Sequence, residues 1–248
     1  MVTINADAAG WLGAVGLAPH APFTASAELY AEVARLAHAR DLRATTHLAE
    51  SREEMEMFRD GRGALFEFMK AIGRPMNDCG STSPLALLSR TGILDARWII
   101  AHLNELTPTD LAVLETGPKF HIVHCPRSHA YFDHSRFRFA ELRALGFNIC
   151  LGTDSLASNH DLSLFAEMRA FTQNEPSLSP RELLEMVTVN AAAALGQREA
   201  LGMLRAGFAA DLIAVPWHGR ASALLEELIS HDEKIGWLMV GGTVKSTR

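Results

Sequence analysis

The stretch Leu151-Gly152-Thr153-Asp154-Ser155 decides how the fold is interpreted, because it is a short apolar run that ends in an aspartate beside a glycine. A carboxylate at the end of a buried strand must be paired, hydrogen-bonded or bound to a metal. Three earlier apolar runs also end in polar side chains, namely His20, His47 with Glu50, and His102. Polar groups that recur at strand ends predict a site rather than a core, although Asp154 alone could simply cap the following turn.

Outward from this stretch, apolar strand-like runs alternate with helical patterns over the first 195 residues. The runs predict five strands at residues 15–18, 42–48, 98–102, 120–125 and 147–151. Three-to-four spacing predicts one helix that opens at Thr24 or Ser26 and ends at His38, and a second at 53–69 that is interrupted at Gly61 and Gly63. Further helices are predicted to start at 107, to end at 145, and to span 162–172 and 180–195. Residues 126–138 are predicted to form an irregular loop. Alternating strands and helices predict parallel strands, and hence an α/β sheet or barrel.

The distribution of polar strand ends favours a barrel over a doubly wound sheet. In a barrel, site residues gather at the C-terminal ends of many strands, whereas a doubly wound sheet concentrates its site near one switch point. All five predicted strands end in or near a candidate site residue: His20, His47, His102, His124 and Asp154. We therefore expect these residues to meet at one end of a barrel.

The pattern changes after Gly196. Residues 202–207 are glycine-punctuated, and residues 210–215 and 235–240 predict two further strands, the second followed by a Gly241-Gly242 turn. Two isolated strands are marginal in water. They are therefore expected to need partners that this chain does not obviously contain.

Composition points to small-molecule chemistry. The 248 residues carry a formal net charge of −6, so no basic face is available for nucleic acid or an anionic membrane. Three scattered cysteines are too few for a disulfide framework, which predicts a cytoplasmic location. No run approaches the ~18 apolar residues of a membrane helix. No Lys or Arg precedes Arg35, so the apolar residues 8–17 are interpreted as a buried strand and its approach rather than a signal peptide.

Each candidate site residue also has a plain structural interpretation. His47 and Glu50 suit a metal-bound imidazole beside a carboxylate that carries protons, but a buried histidine and a helix N-terminal glutamate would give the same pattern. His102 ends an apolar run, so burial requires a partner, and a backbone hydrogen bond would satisfy it.

Four histidines between residues 121 and 134 suggest a metal cluster, which strand geometry argues against. The period of two puts His121 and His124 on opposite faces of a strand, so they cannot both bind one ion without a bulge. We expect His124 to lie behind the site, His129 to contact substrate, and His134 to lie on the surface.

Taken together, five segments resemble the amidohydrolase superfamily. They are APHAPFTAS around His20, THLAES around His47 and Glu50, IIAHLNEL around His102, HCPRSHAYF around His124, and LGTDSLAS around Asp154. The branch they most resemble contains hydrolytic deaminases and chlorohydrolases that act on adenosine-like, guanine-like and triazine substrates. The PRSHAYF segment also resembles the aminofutalosine deaminases.

The resemblance implies a (β/α)8-type metal-dependent hydrolase barrel. Because no His-x-His pair of the kind that begins this barrel occurs in the sequence, the barrel is expected to be incomplete and to hold only strands four to eight. Residues 1–203 would form this partial barrel. Residues 204–248 would form the C-terminal piece of a composite β-sandwich.

The resemblance also implies roles for individual residues. His47 would be a metal ligand, and Asp154 would bind the metal and take a proton from the attacking water. Glu50 would shuttle protons to the ring nitrogen and the leaving ammonia, and His102 would polarise substrate or hold the hydroxide. His20 and His129 would contact a heterocyclic substrate.

One divalent ion, zinc or iron, is implied, and its binding would be weak without the His-x-His pair. Open sheet edges would invite a homo-oligomer or a complementing N-terminal chain. The alternative to an enzyme is a catalytically inactive remnant or partner subunit, and a third interpretation is an ordinary α/β protein with coincidental histidines.

Overall fold

The computed structural model of the chain describes residues 15–245, so most of the apolar stretch at 8–17 lies outside the described residues. Five parallel strands form one sheet in chain order: β1 Gly16–Leu17, β2 Arg43–Leu48, β3 Trp98–His102, β4 His121–His124 and β5 Asn148–Leu151. This arrangement confirms the predicted parallel α/β architecture. The sheet is open, because β1 and β5 each pair with only one neighbour among the described strands.

Helices follow the strands as βα units require. Their bounds are α1 Ala27–Arg40, α2 Arg52–Met55, α3 Ala64–Ala71, α4 Pro84–Arg90, α5 Pro108–Thr116, α6 Pro126–Tyr131, α7 Phe139–Ala144, α8 Leu164–Asn174, α9 Pro180–Val187 and α10 Val189–Ala194. Local chemistry explains several starts: the Ser26 side chain accepts from Leu29 N, and Thr107 forms a capping box with Asp110.

The structure adds detail to the predicted elements at three places. The predicted loop at 126–138 begins with α6, because Pro126 supplies the fixed φ of a first helical turn. The helix predicted at 53–69 is interrupted at Gly61 to Gly63 as expected, with Gly61 in a left-handed conformation, but the π-helical turn Glu56–Asp60 that follows α2 was not predicted. Helix α4 was not predicted, although the Ser83 cap and Pro84 at its first position are ordinary start signals.

The main core lies between the sheet and its helices. Along β3, Trp98, Ile100 and His102 are buried, whereas Ile99 and Ala101 are only half-buried, as the alternation of a strand requires. Trp98 stacks on Tyr30 of α1, with ring centroids 6.0 Å apart. Each such fully buried side chain contributes about 1.5–3 kcal/mol of hydrophobic stabilisation. The core thus fixes the positions from which the strand ends project.

A second sheet follows the barrel-like part. It is antiparallel and contains β6 Leu212–Ala214, β7 Trp237–Val240 and β8 Thr243–Lys245, with α11 Leu224–Ile229 between β6 and β7. Gly241 and Gly242 both have positive φ, which suits the two-residue turn between β7 and β8. The expectation that the two C-terminal strands lack a partner in this chain is therefore wrong. The division at residues 203 and 204 stays a prediction.

Between residues 15 and 245 no helix combines the length and apolar character that crossing a membrane would require.

Candidate active site

The backbone turns sharply where β2, β3 and β5 end. Ala49, His102, Leu103 and Asp154 all have positive φ, between 50° and 73°. Non-glycine residues rarely adopt this left-handed conformation, and those that do often belong to functional sites. Leu103 N donates to Leu48 O at 3.0 Å, so the ends of β2 and β3 remain tied together beyond the sheet. The turns therefore aim side chains at a common space.

His47, Glu50 and His102 meet in that space. His47 Nδ1 and His102 Nε2 lie 2.8 Å apart, with one ring nitrogen donating to the other. Glu50 places Oε2 at 3.6 Å from His47 Nδ1 and Oε1 at 3.6 Å from His102 Nε2. His102 is buried, whereas the other two are half-buried and accessible from one side. Two imidazoles and a carboxylate thus share one small, partly open cluster.

The electrostatics of the cluster follow from burial and the central carboxylate. Interaction with Glu50 raises the pKa of His47 despite its burial. Burial is the main cause that lowers the pKa of His102. Burial alone would raise the pKa of Glu50, but His134, His47 and His102 outweigh it and hold that pKa well below its usual range. Glu50 is therefore ionised at neutral pH.

Glu50 is held from behind by its backbone. Glu50 N donates to Glu54 Oε2 at 2.7 Å, and the Asn104 amide donates to Glu50 O at 3.0 Å. Glu54 is fully buried, and burial raises its pKa to about 8. Ser51 caps α2 by accepting from Glu54 N, so the start of α2 fixes both glutamates. The side chain of Glu50 is left to face the imidazoles.

Asp154 is anchored by hydroxyl groups. Ser128 Oγ donates to Asp154 Oδ2 at 2.7 Å, and Ser158 Oγ donates to the same oxygen at 3.3 Å. Asp154 follows the C-terminal end of β5, and in the parallel sheet this end lies at the same edge as the ends of β2 and β3. The structure thus brings Asp154 to the same end of the sheet, with its carboxylate fixed by the segment that follows β4.

A fully buried glutamate supports that segment. Glu167 of α8 accepts from Arg127 N at 2.9 Å and from the Asn159 amide at 2.6 Å. The same Asn159 amide donates to Thr153 O at 2.9 Å. Glu167 therefore joins the segment carrying Ser128 to the loop carrying Asp154. Sequence reasoning missed this residue, because nothing local marks a helical glutamate as buried.

The two predicted substrate contacts differ in exposure. The His20 ring is exposed and lies 5.1 Å from the His47 ring, with Nδ1 hydrogen-bonded to Thr24 Oγ1 at 2.8 Å. His129 is half-buried, and its Nε2 lies 2.8 Å from Ser135 O. His20 thus borders the cluster directly, whereas His129 lies in the last turn of α6.

The interpretation of His134 as a surface residue is wrong. Its side chain is only 7% exposed, and Nε2 lies 3.7 Å from Glu50 Oε1. The loop folds back over the cluster because Ser135 N donates to Glu105 Oε1, a contact between residues 30 positions apart. His124 is buried and stacks on Phe137 at 4.0 Å between centroids. The expectation that His124 lies behind the site stays a prediction.

The donor set suits a divalent metal ion. Ligand atoms of His47, Glu50 and His102 all lie within 4.8 Å of one another. Two imidazoles and one carboxylate form a donor set found at catalytic zinc sites. The sequence-based set of His47 and Asp154 differs from this geometric set. Both sets share His47.

A cavity of about 650 Å³ lies elsewhere. Its lining includes Gly16, Leu17, Arg43, Leu201 and Asp211, and within residues 15–245 it includes none of the predicted site residues. The candidate site is therefore identified by its cluster of imidazole and carboxylate side chains and not by the size of a cavity.

The sequence profile of the amidohydrolase family matches residues 1–244. The chain belongs to the amidohydrolase family. This confirms the family predicted from the segments around the strand-end residues.

Two curated relatives sharpen the comparison. A 5-methylthioadenosine/S-adenosylhomocysteine deaminase of Pyrococcus furiosus is 34% identical over 206 residues, covering 80% of this chain and 44% of that protein. An aminodeoxyfutalosine deaminase of Deinococcus radiodurans is 34% identical over 195 residues, covering 74% of this chain and 44% of that protein. The amidohydrolase chain therefore spans less than half the length of these relatives. Both are deaminases, which confirms the predicted branch.

Solved structures confirm the fold. An adenosine deaminase from Xanthomonas campestris with bound zinc aligns with a TM-score of 0.74 and 25% identity, over 93% of this chain and 51% of that one. An aminofutalosine deaminase from Helicobacter pylori in complex with methylthio-coformycin aligns with a TM-score of 0.78 and 21% identity, over 93% and 57%. The open sheet thus superposes on about half of each structure.

Proposed function

We propose that this amidohydrolase chain contributes the active site of a metal-dependent hydrolase that removes an amino group from a purine-nucleoside-like substrate. The observation that carries the proposal is that His47, Glu50, His102 and Asp154 all lie at the C-terminal edge of the parallel sheet, where the first three contact one another. The deaminase relatives support the substrate class, because one is named for 5-methylthioadenosine and S-adenosylhomocysteine and the other for aminodeoxyfutalosine.

The chain's own residues would hold the ion. His47 and Asp154, assigned from the sequence, remain proposed donors, and His102 is added because its ligand atom lies within 4.8 Å of those of His47 and Glu50. When bound there, a divalent ion such as zinc or iron would supply Lewis acidity and lower the pKa of a bound water toward ~7.

The carboxylates divide the proton transfers between them. Both hydroxyl donors of Asp154 use Oδ2, so we assign Oδ1 to orient the attacking water and accept its proton. Glu50 lies 3.6 Å from each imidazole, and we assign it to protonate the ring nitrogen and the departing ammonia. The exposed His20 beside His47, and His129 on α6, would contact the heterocycle.

The test measures ammonia release from 5′-methylthioadenosine and adenosine by the purified, zinc-loaded chain. We expect release by the unaltered chain, near-complete loss in Asp154→Asn and Glu50→Gln, and no change in Glu115→Gln, which alters an exposed carboxylate on α5. Equal rates in the unaltered chain and Asp154→Asn would refute the assignment. Zinc content of each variant separates loss of metal from loss of chemistry.

A second candidate is a non-catalytic partner subunit. The observation that favours it is the open sheet, since β1 and β5 leave unpaired edges among the described strands. On this proposal the chain pairs with a second copy or with a complementing chain, and light scattering would find an assembly rather than a monomer. A monodisperse monomer that retains about one zinc ion would exclude it.

A further inference from the structure

We infer that Arg74 positions His20 for substrate by fixing the turn that carries Thr24, an inference that rests on the proposed role of His20 as a substrate contact. Arg74 follows α3 and lies outside the cluster of imidazole and carboxylate side chains. Its Nη2 donates to Pro22 O at 3.0 Å, a contact between residues 52 positions apart. The guanidinium therefore connects the segment after α3 to the loop that follows β1 and contains His20.

The orientation of the His20 ring depends on the turn at Pro22. The His20 backbone is already fixed, because its carbonyl oxygen accepts from His47 N at 2.8 Å. The ring is exposed, and its Nδ1 is hydrogen-bonded to Thr24 Oγ1 at 2.8 Å. Thr24 in turn donates to Ala21 O from both N and Oγ1, at 3.0 and 3.1 Å. A shift of the turn would therefore move Thr24 and rotate the ring while the His20 backbone stayed in place.

Arg74 is the main directional anchor of that turn. Among residues 15–245, its bond to Pro22 O is the one hydrogen bond that joins residues 21–24 to another part of the chain. Pro22 is buried and has no N–H of its own to donate, so its carbonyl oxygen needs this donor. Phe23 also packs against an apolar cluster, but such packing is not directional. The position of the turn therefore depends on the guanidinium.

Arg74 is itself held rigidly. Asp78 accepts from both Nη1 and Nη2, at 2.8 and 2.7 Å. The Arg74 side chain is only 13% exposed, and its guanidinium lies 5.5 Å from the centre of the buried Phe58 ring. Gly73 has a φ of 87°, which ends α3 and lets Arg74 N donate to Met69 O at 3.0 Å. The guanidinium is thus fixed independently of the loop that it holds.

The arrangement requires the planar guanidinium of arginine. Both terminal nitrogens bond to Asp78, while Nη2 has a second N–H for Pro22 O. Lysine carries a compact charge and cannot reproduce this set of directed bonds. Methionine keeps an unbranched apolar stem but has no N–H to donate. Arg74→Lys should therefore hold the turn in part, and Arg74→Met should release it.

The first measurement is hydrogen–deuterium exchange, followed by NMR, at the amides of Thr24 and Ala25, which both donate to Ala21 O. The zinc-loaded chain is compared with Arg74→Met, Arg74→Lys and the control Arg62→Met, which alters an arginine whose side chain is 71% exposed. We expect about 10-fold faster exchange in Arg74→Met, the factor carried by one hydrogen bond from a charged donor. Arg74→Lys should show a smaller increase, and Arg62→Met should show none.

The second measurement is the KM and kcat for ammonia release from 5′-methylthioadenosine. We expect His20→Ala and Arg74→Met each to raise KM about 3–10-fold, the factor carried by one hydrogen bond, with kcat and zinc content nearly unchanged. Because Arg74 acts through His20, the double variant should have the KM of His20→Ala. Arg74→Lys should restore part of the affinity. A merely structural role would instead reduce the folded fraction, and with it the apparent kcat, at constant KM.

The outcomes separate this inference from the proposed function. Unchanged exchange at Thr24 and Ala25 in Arg74→Met would overturn the inference alone. Effects on KM that multiply in the double variant would also overturn it, because Arg74 would then act independently of His20. An unaltered chain that releases no ammonia would overturn the proposed function and the substrate contact of His20 with it, whereas the exchange rates would still decide whether Arg74 holds the turn.

Discussion

Replacing Glu167 by alanine should destabilise the fold more than any exposed glutamate substitution. The Glu167 side chain is fully buried on α8 and joins two chain segments that flank Asp154. It accepts from Arg127 N at 2.9 Å and from the Asn159 amide at 2.6 Å. Alanine leaves both donors without their acceptor.

The expected magnitude follows from those two donors. Each buried donor left unpaired costs about 1–3 kcal/mol, so Glu167→Ala should lower the free energy of unfolding by about 2–6 kcal/mol. Glu167→Gln keeps one carbonyl oxygen to accept from Arg127 N but presents its amide to the Asn159 amide, so about 1–3 kcal/mol should be lost. The exposed Glu115→Ala should change stability by less than about 0.5 kcal/mol.

Urea unfolding followed by circular dichroism measures all three variants. The midpoints should rank Glu115→Ala highest, then Glu167→Gln, then Glu167→Ala, with unchanged slopes. If Glu167→Ala lost less than about 1 kcal/mol, the two hydrogen bonds would not be the connection that fixes the segments beside Asp154.

Three further changes test other contacts. Burial alone would raise the pKa of Asp78, but the two hydrogen bonds from Arg74, at 2.7 and 2.8 Å, and the Arg74 charge outweigh burial and lower this pKa. The Arg74–Asp78 interaction should therefore stabilise the fold at neutral pH and lose its effect below about pH 4. The difference in unfolding free energy between the unaltered chain and Asp78→Asn, measured across pH, tests this. Tyr30→Phe removes the buried 2.6 Å hydrogen bond between the hydroxyl groups of Tyr30 and Thr46, and should lower the free energy of unfolding in urea by about 1 kcal/mol. Gly152→Ala would place a methyl group 2.6 Å from Val123 Cγ1 and cost about 1–3 kcal/mol, and a double-mutant cycle with Val123→Ala should recover part of this loss.

The fold was predictable where its causes are local. Strand β3 has the predicted bounds 98–102, because an apolar run ends at a polar residue and a capped helix follows. The third strand of the second sheet, Thr243–Lys245, escaped prediction because it is short and exposed and carries no buried alternation. The π-helical turn escaped because its sequence has ordinary helical spacing.

The candidate site was predictable only in part, because proximity depends on contacts between distant residues. His47 and His102 are brought together by the pairing of β2 with β3, which strand-end reasoning anticipates. The position of His134 instead depends on where a loop runs, which the Ser135 contact with Glu105 determines. Without that contact, the sequence around His134, beside exposed aromatic residues, predicts a surface position.

Two separate networks hold the two halves of the site. The His47–His102 pair is fixed by the register of β2 with β3 and by the bonds of their extensions, whereas Asp154 is fixed by Ser128 and, behind it, by Glu167. No hydrogen bond among residues 15–245 joins Glu167 to either imidazole. Distant, unconnected sites usually have additive effects. The position of Asp154 can therefore be altered through Glu167 without moving the imidazole pair, so the chain contains two independently supported halves of one site.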